Sequence, residues 1–163
     1  MLHFFLASFF DELGSQKMPA LDLDKPVPKR AVLFICTHNS ARSQMAEALL
    51  RHHLGDQYDA FSAGTEATQV KKQALIVLAE RGMETRGLFS KTIDHFGDRC
   101  FDVVVTVCDD AKEHCPYHPG TVRTIHQSFP DPSDVGKSVD ENLEAFRNTR
   151  DAIQNWILDT FGK

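Results

Sequence analysis

Apolar positions along this chain follow two patterns that take turns from Ala31 onward: short unbroken runs, and segments where they recur every third or fourth residue. The first pattern is that of strands buried on both faces, and the second that of helices with one buried side. Ala31 to Ile35 (AVLFI) is the first run, and Met45, Ala46, Leu49, Leu50 and Leu54 follow at helical spacing until Gly55. Tyr58 to Ser62 reads as a second strand, closed by Ala63-Gly64. Thr68 is placed to cap a helix that carries Ala74, Leu75, Leu78 and Ala79 and ends at Gly82. Phe101 to Val107 (FDVVVTV) is the richest β-branched run and predicts a central strand, and Val122 to Ile125 predicts a weaker fourth. Ser138 and Glu141 form a capping-box pattern before a long helix with Leu143, Phe146, Ile153, Trp156 and Ile157 on one side. Strands alternating with helices predict a parallel sheet covered on both faces. Ligands of such sheets sit at the carboxyl ends of the strands, where Cys36, Ser62, Cys108 and the residues after Ile125 would all emerge.

The start of the chain departs from this pattern. Met1 to Phe10 is apolar but carries no basic leader, and it is far short of the roughly 20 apolar residues that span a bilayer. Residues 1–29 are expected to form a poorly ordered extension, with Met18 as an alternative start, and residues 30–163 a single domain. A net charge of −5 disfavours a nucleic-acid partner, so any anionic ligand must be held by a local device. The expectation is a cytoplasmic monomer with no membrane partner. In a reducing compartment Cys36, Cys100, Cys108 and Cys115 would serve packing, metal or redox chemistry, not a disulfide framework.

One stretch carries more chemistry than the rest. Cys36 is followed by Thr37, His38, Asn39, Ser40, Ala41, Arg42 and Ser43, wedged between the first strand and the first helix. Successive backbone N–H groups from Thr37 to Arg42, with the positive end of a helix behind them, make a concave anion site. Arg42 adds a planar fork for two oxygens of a tetrahedral oxyanion. Cys36 would lie at the base, where the positive field favours its thiolate, and the Ser43 hydroxyl can donate to its sulfur. A cysteine five residues from an arginine also arises by chance; the position between strand and helix is what favours the functional reading.

VLFICTHNSARSQMAEALL resembles the opening of the low-molecular-weight protein tyrosine phosphatases, and more narrowly the thioredoxin-coupled arsenate reductases built on that fold. The likeness runs from Ala31 to Ile157 and takes in Ser62-Ala63-Gly64-Thr65 and Phe129-Pro130-Asp131-Pro132. It implies a single-domain, three-layer Rossmann-like α/β fold with a four-stranded parallel sheet in the order 2-1-3-4. It implies Cys36 as nucleophile, Arg42 as oxyanion clamp and Asp131 as general acid. It further implies that Asn39, Glu47 and Ser62 brace the loop, in some relatives with a potassium ion. Protonation of a departing oxygen suits a positioned carboxylic acid, although Pro130-Asp131-Pro132 alone also reads as a turn.

Cys108 and Cys115, seven positions apart and followed by Pro116, resemble the redox pair of those reductases. The resemblance implies a relay in which Cys36 attacks arsenate, Cys108 attacks Cys36, and Cys115 takes over the disulfide for an external thiol reductant, thioredoxin first among the candidates. No metal is expected, because His114, His118 and Cys100 do not make a usual zinc spacing. Cys100 is expected to be a packing residue, and His52 and His53 to lie on a helix surface. Seven residues of helix separate Cα atoms by roughly 10 Å, beyond the about 7 Å a disulfide tolerates, so Asp109 to His114 is expected to open. The competing reading is a phosphatase acting on phosphotyrosine or small phosphomonoesters. It is weakened by Ser133 and Asp134 where aromatic residues usually flank a phosphotyrosine, and by Gln44 where a proline usually follows Arg-Ser. His126-Gln127 stands where many relatives carry a tryptophan.

Overall fold

The computed structural model describes residues 27–114, 120–136 and 138–163. Strand β1 (Arg30–Cys36), helix α1 (Arg42–Leu54), β2 (Tyr58–Gly64) and α2 (Lys72–Ala79) come first. A 3-10 turn (Ile93–Phe96), β3 (Val103–Thr106), α3 (Asp109–His114), β4 (Arg123–His126) and α4 (Val139–Phe161) follow. The four strands form one parallel sheet in the order β2-β1-β3-β4, as expected.

β1 is central because its side chains are apolar on both faces, and Val32, Leu33, Phe34 and Ile35 are fully buried. Burying each such side chain contributes about 1.5–3 kcal/mol. On one face Phe34 and Tyr58 meet Phe161 of α4 edge-to-face, and Ser62 meets Glu47 of α1. On the other face the rings of Phe96 and Phe101 pack on Phe61. β4 is an edge strand with mostly exposed side chains, which explains its weak apolar signal.

Several expectations change in detail. Thr68 does not cap α2: the helix begins at Lys72 behind Lys71, with no side-chain cap, and the Thr68 hydroxyl donates to the His38 carbonyl instead. At the other end Gly82, at φ 71°, closes the helix as expected, with Met83 N–H on Leu78 O (3.2 Å) and Gly82 N–H on Ala79 O (2.9 Å). Cys100 is exposed and not a packing residue, because the chain turns into the core one residue later, at Phe101. Asp109–His114 forms the helix α3, the starting state from which the segment is expected to open. Cys115 and His118 lie outside the described residues, as does the extension apart from residues 27–29. The long C-terminal helix starts with the anticipated box: Ser138 Oγ accepts from Glu141 N–H (3.2 Å) and Glu141 Oε2 from Ser138 N–H (2.9 Å).

Candidate active site

Cys36 is the last residue of β1, paired with Gly64, so its side chain stands at the carboxyl edge of the sheet. The loop that follows is pinned from outside through its carbonyls. Cys36 O accepts from Thr65 N–H (3.3 Å), Thr37 O from Glu66 N–H (2.9 Å) and Ser40 O from Lys71 N–H (2.8 Å). His38 O takes the hydroxyls of Ser90 (3.0 Å) and Thr68 (3.3 Å), and Asn39 O takes Gln44 Nε2 (3.0 Å). In a trans peptide the C=O and the next N–H point opposite ways. With five successive carbonyls anchored outward, the amides of Thr37 through Ala41 are directed to the inner side. Helix α1 begins there with no side-chain cap, in contrast to the boxed start of α4, so its positive end is left open to an anion.

The bend depends on two backbone features. Asn39 is fully buried at φ 47°, the left-handed region that asparagine tolerates better than most residues. Gly64 lies so close that a Cβ there would sit 2.6 Å from Thr37 O and 2.9 Å from Asn39 N.

The hydrogen-bond roles around the sulfur can be assigned from one fixed donor. Lys91 N–H donates to Asn39 Oδ1 (2.9 Å), which orients the amide so that Nδ2 donates to Ser43 Oγ (2.8 Å). Ser43, having accepted there, is free to direct its proton at Cys36 Sγ, 2.9 Å away. Gln44, buried completely, staples the loop from below, with Nε2 on Asn39 Oδ1 (2.9 Å) and Phe89 O (2.9 Å) as well as Asn39 O.

Arg42 leans over the opening. Nη1 donates to Phe129 O (3.1 Å) and Nη2 to Asp131 Oδ2 (2.6 Å). Asp131 Oδ1 also accepts from Ser133 N–H at 2.9 Å. Burial pushes the Asp131 carboxyl up, but the Ser133 hydrogen bonds and the charges of Arg42 and His38 outweigh it and hold the group below its ordinary range. Asn142, on α4, donates through Nδ2 to Pro132 O (3.0 Å) and Val135 O (2.9 Å), and Trp156 packs on Phe129, so the acidic turn is fastened to that helix. Cys108 is buried beside the loop, its Sγ 3.5 Å from Thr37 Oγ1. It lines one hollow together with Arg42, Phe129 and Asp131.

The side chains of Glu47 and Ser62 are bonded to each other behind the loop. Ser62 donates to Glu47 Oε2, Arg51 donates to Oε1, and Lys91 Nζ is 3.6 Å from Oε2. Burial pushes Lys91 below the usual lysine range, and Glu47 works against that. A potassium ion does not fit here: the oxygens it would use on Glu47, Phe89 and Asn39 already accept from Arg51, Ser62, Lys91 and Gln44. Among the described residues no group of His, Cys, Asp and Glu could hold a metal, and no helix is long and apolar enough to cross a membrane.

Gln44, Phe89, Lys91 and Asn142 were not found as site residues from the sequence. Gln44 was noted only as a departure from proline, and the other three gain their roles through contacts remote in the chain.

A parallel α/β sheet with a cysteine at the first strand end, an amide-lined loop and an overhanging arginine defines a cysteine-based oxyanion-binding class. The chain belongs to the low molecular weight phosphotyrosine protein phosphatase family, whose model matches residues 31–158. It is 38% identical over 125 residues to an arsenate reductase of Halalkalibacterium halodurans, covering 77% of this chain and 90% of that protein. Among solved structures it is similar to an arsenate reductase in a phosphate-binding state, with a TM-score of 0.68 and 27% identity, over 80% of this chain and 95% of that one. The Corynebacterium glutamicum thioredoxin-dependent arsenate reductase matches with a TM-score of 0.58 and 30% identity, over 85% of this chain and 66% of that one.

Proposed function

We propose that the protein is an arsenate reductase that turns over by a three-cysteine relay. The observation that carries this reading is Cys108, a second buried thiol held against the Cys36 loop by the Thr37 contact and sharing the hollow of Arg42 and Asp131. Hydrolysis of a cysteinyl phosphate requires only water, so a second thiol beside the loop favours thiol–disulfide chemistry. The relatives named arsenate reductase support the same choice.

In the proposed sequence the loop amides and Arg42 bind arsenate, and the Cys36 thiolate attacks arsenic. Asp131 gives its proton to the departing oxygen, which leaves as water. The Cys108 thiolate then attacks Cys36 Sγ; the sulfur–arsenic electron pair stays on arsenic, and arsenite leaves as Cys36–Cys108 forms. Cys115 attacks Cys108, frees Cys36, and leaves a Cys108–Cys115 disulfide for an external dithiol such as thioredoxin. The Ser43 hydroxyl stabilises the Cys36 thiolate both when it attacks and when it leaves.

The test is arsenate-dependent NADPH oxidation in the presence of thioredoxin and thioredoxin reductase, for wild type and Cys108→Ser, beside hydrolysis of an aryl phosphate. Oxidation that disappears in Cys108→Ser is the expected result. Aryl phosphate turnover with no arsenate-dependent oxidation would transfer the protein to the phosphatase reading.

A further inference from the structure

Lys91 touches the site machinery at three points, and none of them is a solvated contact of a surface lysine. Its N–H holds Asn39 Oδ1 (2.9 Å), its carbonyl accepts from Gly64 N–H (2.9 Å), and its Nζ reaches Phe89 O (3.1 Å) and Glu47 Oε2 (3.6 Å). The side chain is 8% exposed and that of Glu47 5%. The Nζ also lies 4.3 Å from the centre of the Phe89 ring, an arrangement that favours a cation. A buried carboxylate must be neutralised in place. Arg51 serves one oxygen of Glu47 from a half-exposed side chain, and Lys91 serves the other from inside.

We propose that the Lys91 ammonium is a built-in monovalent cation, standing on the Glu47–Ser62 pair where a bound potassium ion would otherwise be needed, and that it makes the loop independent of potassium. Lys91 is a positioning residue: its main-chain N–H orients Asn39 and through it Ser43, while its ammonium acts through Glu47 on the joint between α1 and β2 and through the Phe89 carbonyl it shares with Gln44 on the loop. The ammonium is a compact point charge on a flexible stem, so it can take the place of a small ion between oxygen ligands. The proposal rests on reading residues 36–43 as the oxyanion site.

The test compares wild type, Lys91→Met, Lys91→Arg and the double variant Glu47→Gln/Lys91→Met in potassium chloride and in choline chloride at equal ionic strength. Two readouts are taken: the melting temperature, and the rate of Cys36 alkylation with and without sulfate. Wild type and Lys91→Arg should show no difference between the salts. Lys91→Met should melt on the order of 10 °C lower in choline and recover in potassium, with its sulfate protection of Cys36 recovering in step. The double variant, which has no unpaired carboxylate, should be stable and indifferent to potassium, and it carries the comparison if Lys91→Met does not fold. A potassium effect on wild type, or a folded Lys91→Met that potassium does not restore, overturns the proposal. Absence of sulfate protection in wild type would instead overturn the oxyanion site, and the melting data would still judge Lys91.

Discussion

Arg42 Nη2 lies 2.6 Å from Asp131 Oδ2, so the guanidinium offered to an oxyanion is already engaged by the carboxyl group proposed to protonate the departing oxygen. An entering anion must compete for Arg42, and in doing so it removes a charge that holds Asp131 ionised. In the proposed mechanism the contact thereby couples entry of the anion to arming of Asp131 as the acid.

That coupling has a sign. Asp131 is held below its ordinary range in the free protein, and an anion on Arg42 raises it, so binding takes up a proton. Sulfate, whose charge is constant in the working range, should bind more tightly as pH falls from the bound-state pKa of Asp131 toward its lower free-state value, and level off below that. Asp131→Asn should bind sulfate roughly three- to fivefold more tightly at neutral pH, because a half-exposed pair contributes no more than about 1 kcal/mol. The same variant should lose this part of the pH dependence. Calorimetric titration of both proteins decides it, and equal pH profiles would separate Asp131 from the anion.

The proposed relay predicts different trapped states for the two downstream thiols. Cys115→Ser should release about one equivalent of arsenite per chain, as the mechanism of thiol–disulfide exchange requires, and stop with Cys36 bonded to Cys108. Cys108→Ser should release none. Quenched single-turnover reactions with peptide mass analysis distinguish the cases, and arsenite release by Cys108→Ser would remove the second thiol from the scheme.

Asn39 separates backbone from side-chain effects. At φ 47° an alanine costs about 1 kcal/mol more than glycine. Both Asn39→Ala and Asn39→Gly lose the bonds to Ser43, Gln44 and Lys91, worth about 1 kcal/mol each. Urea unfolding should therefore place Asn39→Ala roughly 3–4 kcal/mol below wild type and Asn39→Gly about 1 kcal/mol above the alanine variant. Cys36 alkylation should slow in both, since Ser43 is no longer oriented. Equal stability of the two variants would contradict the backbone argument.

How much of this was legible in the sequence follows from how local each cause is. β1 could be read because four adjacent side chains are buried together, and the loop because Cys36 through Ser43 are neighbours in the chain. Thr68 failed as a cap because a carbonyl 30 residues away outcompetes the helix for its hydroxyl. Glu47, Ser62 and Asn39 were expected to work together, yet the residue that joins them, Lys91, follows Glu47 by 44 positions and has no local signature (91 minus 47). Asn142 has no local signature either. Only the folded chain brings it to the carbonyls behind Asp131.

His126 ties the start of α3 to the sheet. Its Nε2 is 3.1 Å from Asp109 Oδ1, and its Nδ1 is 2.8 Å from Thr106 Oγ1. An ionised carboxylate only accepts, so Nε2 carries the proton toward Asp109, and in the neutral ring Nδ1 accepts from the Thr106 hydroxyl. The proposed transfer from Cys108 to Cys115 requires α3 to open, since helical backbone would keep the two residues about 10 Å apart and a disulfide needs about 7 Å or less. His126 would therefore act as a latch on the proposed relay. Its contact with a largely exposed Asp109 contributes roughly 0.5–1 kcal/mol, so His126→Ala should speed hydrogen exchange of the α3 amides about two- to fivefold and accelerate conversion of Cys36–Cys108 to Cys108–Cys115 by a similar factor. The first step, attack of Cys36 on arsenate, should be unchanged, because the two ring nitrogens of His126 are bonded to Thr106 and Asp109 and not to the Cys36 loop. Faster exchange without a faster disulfide transfer would mean that opening of α3 does not limit the relay, and unaltered exchange would mean that His126 does not hold it shut.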